Sequence, residues 1–200
     1  RCTFDNNEAR ATALNPDYAR GGGIYSSNAV LLVTDSPFTD QTVFVDQDST
    51  WVETVDDLTW LDGGKRFLWT SERDGWNHAY SVSRDGSDVR LLTPGAYDVL
   101  GVSSVDTKGG WLYFTASPDN PAQRYLYRAR LDGTGRPVRL TPAGQAGVHA
   151  YNMSPNAAYA LHNWSSFGQP WTTELVALPS HRSLRVLVAN TQLKERVAAL

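Results

Sequence analysis

Residues 58–94 read LTWLDGGKRFLWTSERDGWNHAYSVSRDGSDVRLLTP, and the same outline returns at residues 102–142 as VSSVDTKGGWLYFTASPDNPAQRYLYRARLDGTGRPVRLTP. Each copy is a series of short apolar strands set off by Asp-Gly or Pro-Asp-Asn turns, and each closes on Arg-Leu-Leu-Thr-Pro or Arg-Leu-Thr-Pro. Asp85-Gly86 recurs as Asp132-Gly133 about 47 positions on, and Thr93-Pro94 as Thr141-Pro142 about 48 on, the period of four-stranded propeller blades. The chain therefore reads as an array of similar modules.

Working outward, a weaker third copy follows. Ala150 to Ser154 stands where an inner strand belongs, then Tyr159 to Trp164, Thr173 to Ala177 and Leu184 to Val188. A partial fourth copy precedes the first two, with Val30 to Thr34 and Thr42 to Val45 as its outer strands. The runs Phe67-Leu68-Trp69 and Trp111-Leu112-Tyr113-Phe114 are continuous rather than alternating, as in strands buried on both faces. The expected fold class is all-β: a partial β-propeller of about three to four four-stranded antiparallel blades in an incomplete ring.

Composition agrees with that reading. Seven Trp, nine Tyr and six Phe, with 16 Gly and 10 Pro, belong to aromatic-rich strands and tight turns. The expected organisation is a partial first blade with an irregular N-terminal segment over 1–49, and three blades over 50–189, at about 55–97, 98–145 and 146–189. A short helical linker follows at 190–200, where Asn190 or Thr191 can cap a helix whose Leu193, Val197 and Leu200 share a face. Residues 11–28, ATALNPDYARGGGIYSSN, carry loop signals.

Charge narrows the partners. A net charge of −3 with no basic run argues against nucleic acid, whose phosphates demand clustered Lys or Arg. No stretch approaches the roughly 20 apolar residues that span a bilayer. The single Cys2 leaves the redox compartment open.

The residues offer little chemistry of their own. Gly101-Val102-Ser103-Ser104-Val105 lacks the second Gly of a nucleophile elbow and enters a strand, so Ser103 is not expected to be catalytic. His78, His149, His162 and His181 lack the i, i+4 spacing that puts two ligands on one helix face, and each reads as structural. Asp46 and Asp48 can share a strand face, but a solvated turn is the simpler reading; Asp56 and Asp57 point apart. Glu72-Arg73-Asp74-Gly75 reads as a charged hairpin tip. No catalytic, cofactor-binding or metal-binding residue is expected within the chain.

Taken in order, FLWTSERDGWNHAYSV, GGWLYFTASPDNPAQRYLYRARLDG and GVHAYNMSPNAAYALHNWSSFGQPWTTELV resemble the propeller region of the dipeptidyl peptidase IV family, serine peptidases of the prolyl oligopeptidase type. The resemblance covers about residues 50–200 and implies the last blades of the propeller. It implies a parent enzyme in which an α/β-hydrolase domain supplies the Ser, Asp and His triad, while the propeller gates and positions peptide substrates. This chain by itself is then expected to be inactive. The family's substrate-binding pair of neighbouring Glu has no counterpart among Glu8, Glu53, Glu72, Glu174 and Glu195. The stretch entering at Trp51-Val52 is implied to pass near the central cavity, making Trp51 and Glu53 the substrate-lining candidates. The family implies a periplasmic or extracellular location. The competing expectation is a TolB-like propeller that binds protein partners and catalyses nothing.

Overall fold

The computed structural model describes residues 58–199 in full, the side chains of 44–46, and the backbone of strands at 2–5, 8–13, 29–35 and 42–48. It divides into two compact units, residues 1–94 and 95–200. Sixteen strands and one α-helix are described.

In the first unit, β1 (Cys2–Asp5), β2 (Glu8–Ala13), β3 (Ala29–Asp35) and β4 (Thr42–Asp48) form one sheet in that order. The step from β2 to β3 is parallel, with Glu8 opposite Val30 and Ala13 opposite Asp35. The outer strands expected at Val30 to Thr34 and Thr42 to Val45 fall in β3 and β4, which pair antiparallel. A parallel step needs a crossover of a dozen or more residues, and the intervening chain, outside the described residues, is long enough to supply one.

The second sheet of this unit is an antiparallel meander of β5 (Thr59–Leu61), β6 (Arg66–Ser71), β7 (His78–Ser83) and β8 (Val89–Leu91). Phe67, Leu68 and Trp69 are all buried, so both faces of β6 are covered, as the continuous apolar run requires. Phe44, Phe67, Trp69, Tyr80 and Val82 make the core. The rings of Phe44 and Trp69 meet edge to face at 5.7 Å, as do Trp60 and Phe67 at 6.0 Å. Each of the buried rings Phe44, Phe67 and Trp69 contributes about 2–3 kcal/mol by removal from water. The buried Arg66 is held by the Ser81 hydroxyl and carbonyl, each at 2.7 Å, and by Asp88 at 2.8 Å.

The second unit holds two antiparallel meanders. One joins β9 (Val99–Asp106), β10 (Trp111–Ala116), β11 (Tyr125–Arg130) and β12 (Val138–Arg139). The other joins β13 (Val148–Met153), β14 (Tyr159–Ser166), β15 (Gln169–Ala177) and β16 (Arg182–Val188). Tyr113, Leu126, Leu140 and Ala157 form their shared core. A parallel bridge between Arg124 and Val148 links the two sheets. At that junction Gly147 sits at φ +146°, and a side chain there would run into the Ser165 carbonyl.

The repeated turns share one construction. Gly86 and Gly133 take φ of 72° and 76°, a region that favours glycine, and the preceding Asp85 and Asp132 accept from the backbone N–H two residues on. The repeated Thr-Pro has an equally local purpose. Thr93 accepts the Ala79 N–H at 2.9 Å, and Thr141 accepts the Leu126 N–H at 2.8 Å. Each hydroxyl thus takes up a backbone donor on the third strand of its sheet.

The helix α1 spans Thr191–Ala198. Asn190 stands at its N-cap in the left-handed region without a side-chain cap bond, and its amide donates to the Trp171 carbonyl instead. The expected side-chain cap is therefore replaced by a tie to β15. Leu200 lies outside the described residues. No described helix is long and apolar enough to cross a membrane.

Candidate functional site

Alternation along a strand, combined with strand register, builds a buried polar cluster in the second unit. On β13, His149 and Tyr151 are two apart and share a face; on β14, so do His162 and Trp164. Tyr151 pairs with His162, and His162 pairs with Glu174 on β15, so these three form a row across neighbouring strands. The fourth member comes from the turn into β16, where His181 takes φ 54°.

Contacts within the cluster are short. His162 Nδ1 lies 3.0 Å from Glu174 Oε1, His162 Nε2 lies 2.8 Å from His149 Nδ1, and His149 Nε2 lies 3.0 Å from the Gln145 carbonyl. The rings of His149 and His162 are parallel within 4°, with centroids 5.1 Å apart, as an in-line bond between ring nitrogens requires. The Tyr151 hydroxyl meets His181 Nε2 at 2.8 Å and the Thr141 hydroxyl at 2.8 Å. His181 packs edge-on to His162, with centroids 4.8 Å apart.

Burial sets the charge state. His149, His162 and His181 are all buried, and desolvation pushes each below its ordinary value, His149 to about 4 with added repulsion from His162. The Glu174 carboxylate pulls His162 the other way without reversing the shift. Burial would raise Glu174 itself, but hydrogen bonds from Ser183 and His162 outweigh it and hold the carboxyl low. One ligand atom each from His162, Glu174 and His181 lies within 4.8 Å of the other two. The arrangement can relay a proton along a line of imidazoles or hold a cation between nitrogen and oxygen donors.

A second polar node lies in the first unit. Asp46 is buried, accepting from the Trp69 indole at 2.8 Å and the Ser71 hydroxyl at 2.5 Å, with Arg73 at 3.6 Å. The solvated turn expected for Asp46 is thereby corrected: two donors on β6 and a guanidinium offset its desolvation. The Asp48 side chain, Asp56 and Asp57 lie outside the described residues. Asp74 does sit at a hairpin tip, yet it also holds buried His78 at 2.8 Å.

Trp51 and Glu53 lie outside the described residues. Ser103 lies within β9 at a bulge opposite Tyr113 and Phe114, not on a strand-to-helix turn. The cluster at His162 escapes a search for helical spacing. The signal that finds it is alternation by two along β13 and β14 together with their register.

Comparison with known proteins places this architecture. The family model for the dipeptidyl peptidase IV (DPP IV) N-terminal region matches residues 26–171. The protein described as "Probable dipeptidyl-aminopeptidase B" of Emericella nidulans is 32% identical over 162 residues, covering 76% of this chain and 18% of the relative. Its counterpart in Aspergillus oryzae is 35% identical over 107 residues, covering 52% of this chain and 12% of the relative. The crystal structure of Porphyromonas gingivalis dipeptidyl peptidase 4 aligns with a TM-score of 0.68 at 22% identity, over 91% of this chain and 29% of that one. The chain thus has the all-β, propeller-type fold, and it spans less than a fifth of the length of these fungal relatives.

Proposed function

The chain belongs to the dipeptidyl peptidase IV N-terminal region family, and from that membership we propose that it forms part of the propeller of a serine-type dipeptidyl peptidase. In this reading the blades admit peptides and position them, and an α/β-hydrolase domain of the same parent protein cleaves the bond. The observation that carries the reading is the family match over residues 26–171, which runs from the first-unit strands into β15.

Trp51 and Glu53 are the substrate-lining residues in this proposal. An indole offers a flat apolar wall to a peptide side chain, and a carboxylate offers a charge-assisted bond to a peptide N–H or ammonium. Their effect belongs in KM if they bind substrate and transition state alike.

The test uses the protein that contains this chain, with a Gly-Pro chromogenic substrate. Release of the dipeptide is expected from the free amino form and not from its N-acetylated form, and none from the 200-residue chain alone. A containing protein that ignores free-amino dipeptide substrates ends the reading, as does hydrolysis by the chain alone. Glu53→Ala is expected to raise KM, and an unchanged KM and kcat removes Glu53 from the substrate path.

A further inference from the structure

We propose that His162, Glu174 and His181 form a binding site for one divalent transition-metal ion, with Zn²⁺ the best match. Two imidazoles and one carboxylate are the donor set that borderline metals of this kind select. The proposal does not rest on the peptidase reading.

Geometry carries the argument: donor atoms from buried His162 and His181 and half-buried Glu174 lie within 4.8 Å of one another. The line from the Gln145 carbonyl through His149 and His162 to Glu174 contains three contacts, of 3.0, 2.8 and 3.0 Å. Both ends of the line, a carbonyl and a carboxylate, only accept. Two neutral imidazoles bring one ring hydrogen each, so three contacts share two hydrogens. With both rings neutral, one of the three contacts lacks a hydrogen.

In one of the tautomer arrangements the missing hydrogen falls at Glu174, where a metal ion takes the place of the hydrogen that His162 otherwise donates. If His149 gives its Nε2 hydrogen to Gln145, its Nδ1 accepts from His162 Nε2. His162 Nδ1 then faces the Glu174 carboxylate lone pair to lone pair at 3.0 Å. That arrangement is repulsive until a cation enters. Two ligands that each bind a tetrahedral ion at about 2.1 Å stand about 3.4 Å apart, so this pair needs to open by only a few tenths of an ångström.

The surroundings supply what a metal site needs beyond its ligands. His149 receives the single ring hydrogen of His162, on Nε2, and is itself held by a backbone carbonyl, which fixes the tautomer and aims His162 Nδ1. Tyr151, braced by Thr141, contacts the His181 ring in the same way. His181 is carried on a turn rather than in a strand, and an inward movement of about 1 Å brings its nitrogen from within 4.8 Å to bonding geometry. Its positive φ, uncommon outside glycine, is the backbone conformation that delivers the ring to this face.

Calorimetric titration of the EDTA-treated chain with Zn²⁺ at neutral pH tests the proposal, alongside thermal unfolding with and without Zn²⁺. One ion per chain and a raised unfolding midpoint are expected. Glu174→Gln places an amide N–H opposite His162 Nδ1, so it fills the gap without a metal and preserves the sheet; His181→Asn keeps a residue type that tolerates the left-handed region. Each substitution is expected to weaken Zn²⁺ binding at least about tenfold while leaving the far-ultraviolet circular dichroism unchanged. Absence of Zn²⁺ binding to the unsubstituted chain overturns the site, as does undiminished binding in any folded variant of the two. If one variant fails to fold, the other decides. Stabilisation of the unsubstituted chain by mild acid but not by Zn²⁺ would mean that a proton alone fills the gap, and that too overturns the proposal.

Discussion

Trp69 donates its indole N–H to the Asp46 carboxylate at 2.8 Å, tying β6 to β4 across 23 residues of sequence, with both side chains buried. The other carboxylate oxygen takes the Ser71 hydroxyl. Asp46→Ala removes the acceptor from two donors at once and is expected to cost about 3 kcal/mol, because an unsatisfied buried donor loses its water without a replacement. Asp46→Asn keeps one carbonyl acceptor and is expected to cost about half as much. Urea unfolding checks the order, and the slope should stay constant while the midpoint moves. Equal costs for the two variants would show that the acceptor pattern is not what matters.

The repeated Thr-Pro invites a matched pair of substitutions. Thr93→Val and Thr141→Val retain the shape of the side chain and delete the hydroxyl that accepts from Ala79 and Leu126. Each threonine is buried, so water cannot take its place. A loss of about 1–3 kcal/mol is expected for each, read by urea unfolding. A neutral outcome at both positions would leave the repeat of this dipeptide to the proline alone.

Why the blades are legible in the sequence follows from these residues. Asp85-Gly86, Asp132-Gly133, Thr93 and Thr141 act within one hairpin or between neighbouring strands, so their chemistry is local and repeats with the blade. Asp46 misleads for the opposite reason. Asp-Gln-Asp has the composition of a turn, and only the arrival of Trp69 and Ser71 from another sheet makes it a buried acceptor. The row Tyr151, His162 and Glu174 depends on the register of three strands, and His181 joins it through one left-handed residue. Neither fact leaves a mark on spacing along the chain. The parallel step between β2 and β3 is equally silent, since pairing direction is set by the path between strands.

Acid should separate Asp74 from its amide counterpart. Burial alone would lift the Asp74 carboxyl, but the hydrogen bond and Coulomb attraction of His78, with the Trp76 N–H, leave it below 3.8. A carboxyl whose folded value is depressed binds fewer protons than it does in the unfolded chain. Its contribution is therefore complete above pH 3.8 and disappears as pH falls through the lower folded value. The Asp74 side chain is 37% exposed, so solvent screening keeps the contribution below about 1 kcal/mol. Asp74→Asn retains an oxygen for His78 Nδ1 and for the Trp76 N–H but carries no charge. Urea unfolding at neutral pH should show the variant as the less stable form, and the difference should shrink steadily below about pH 4. A gap that stays constant down to the acid limit would assign the effect to hydrogen-bond geometry, because only the ionised carboxylate responds to protons in that window.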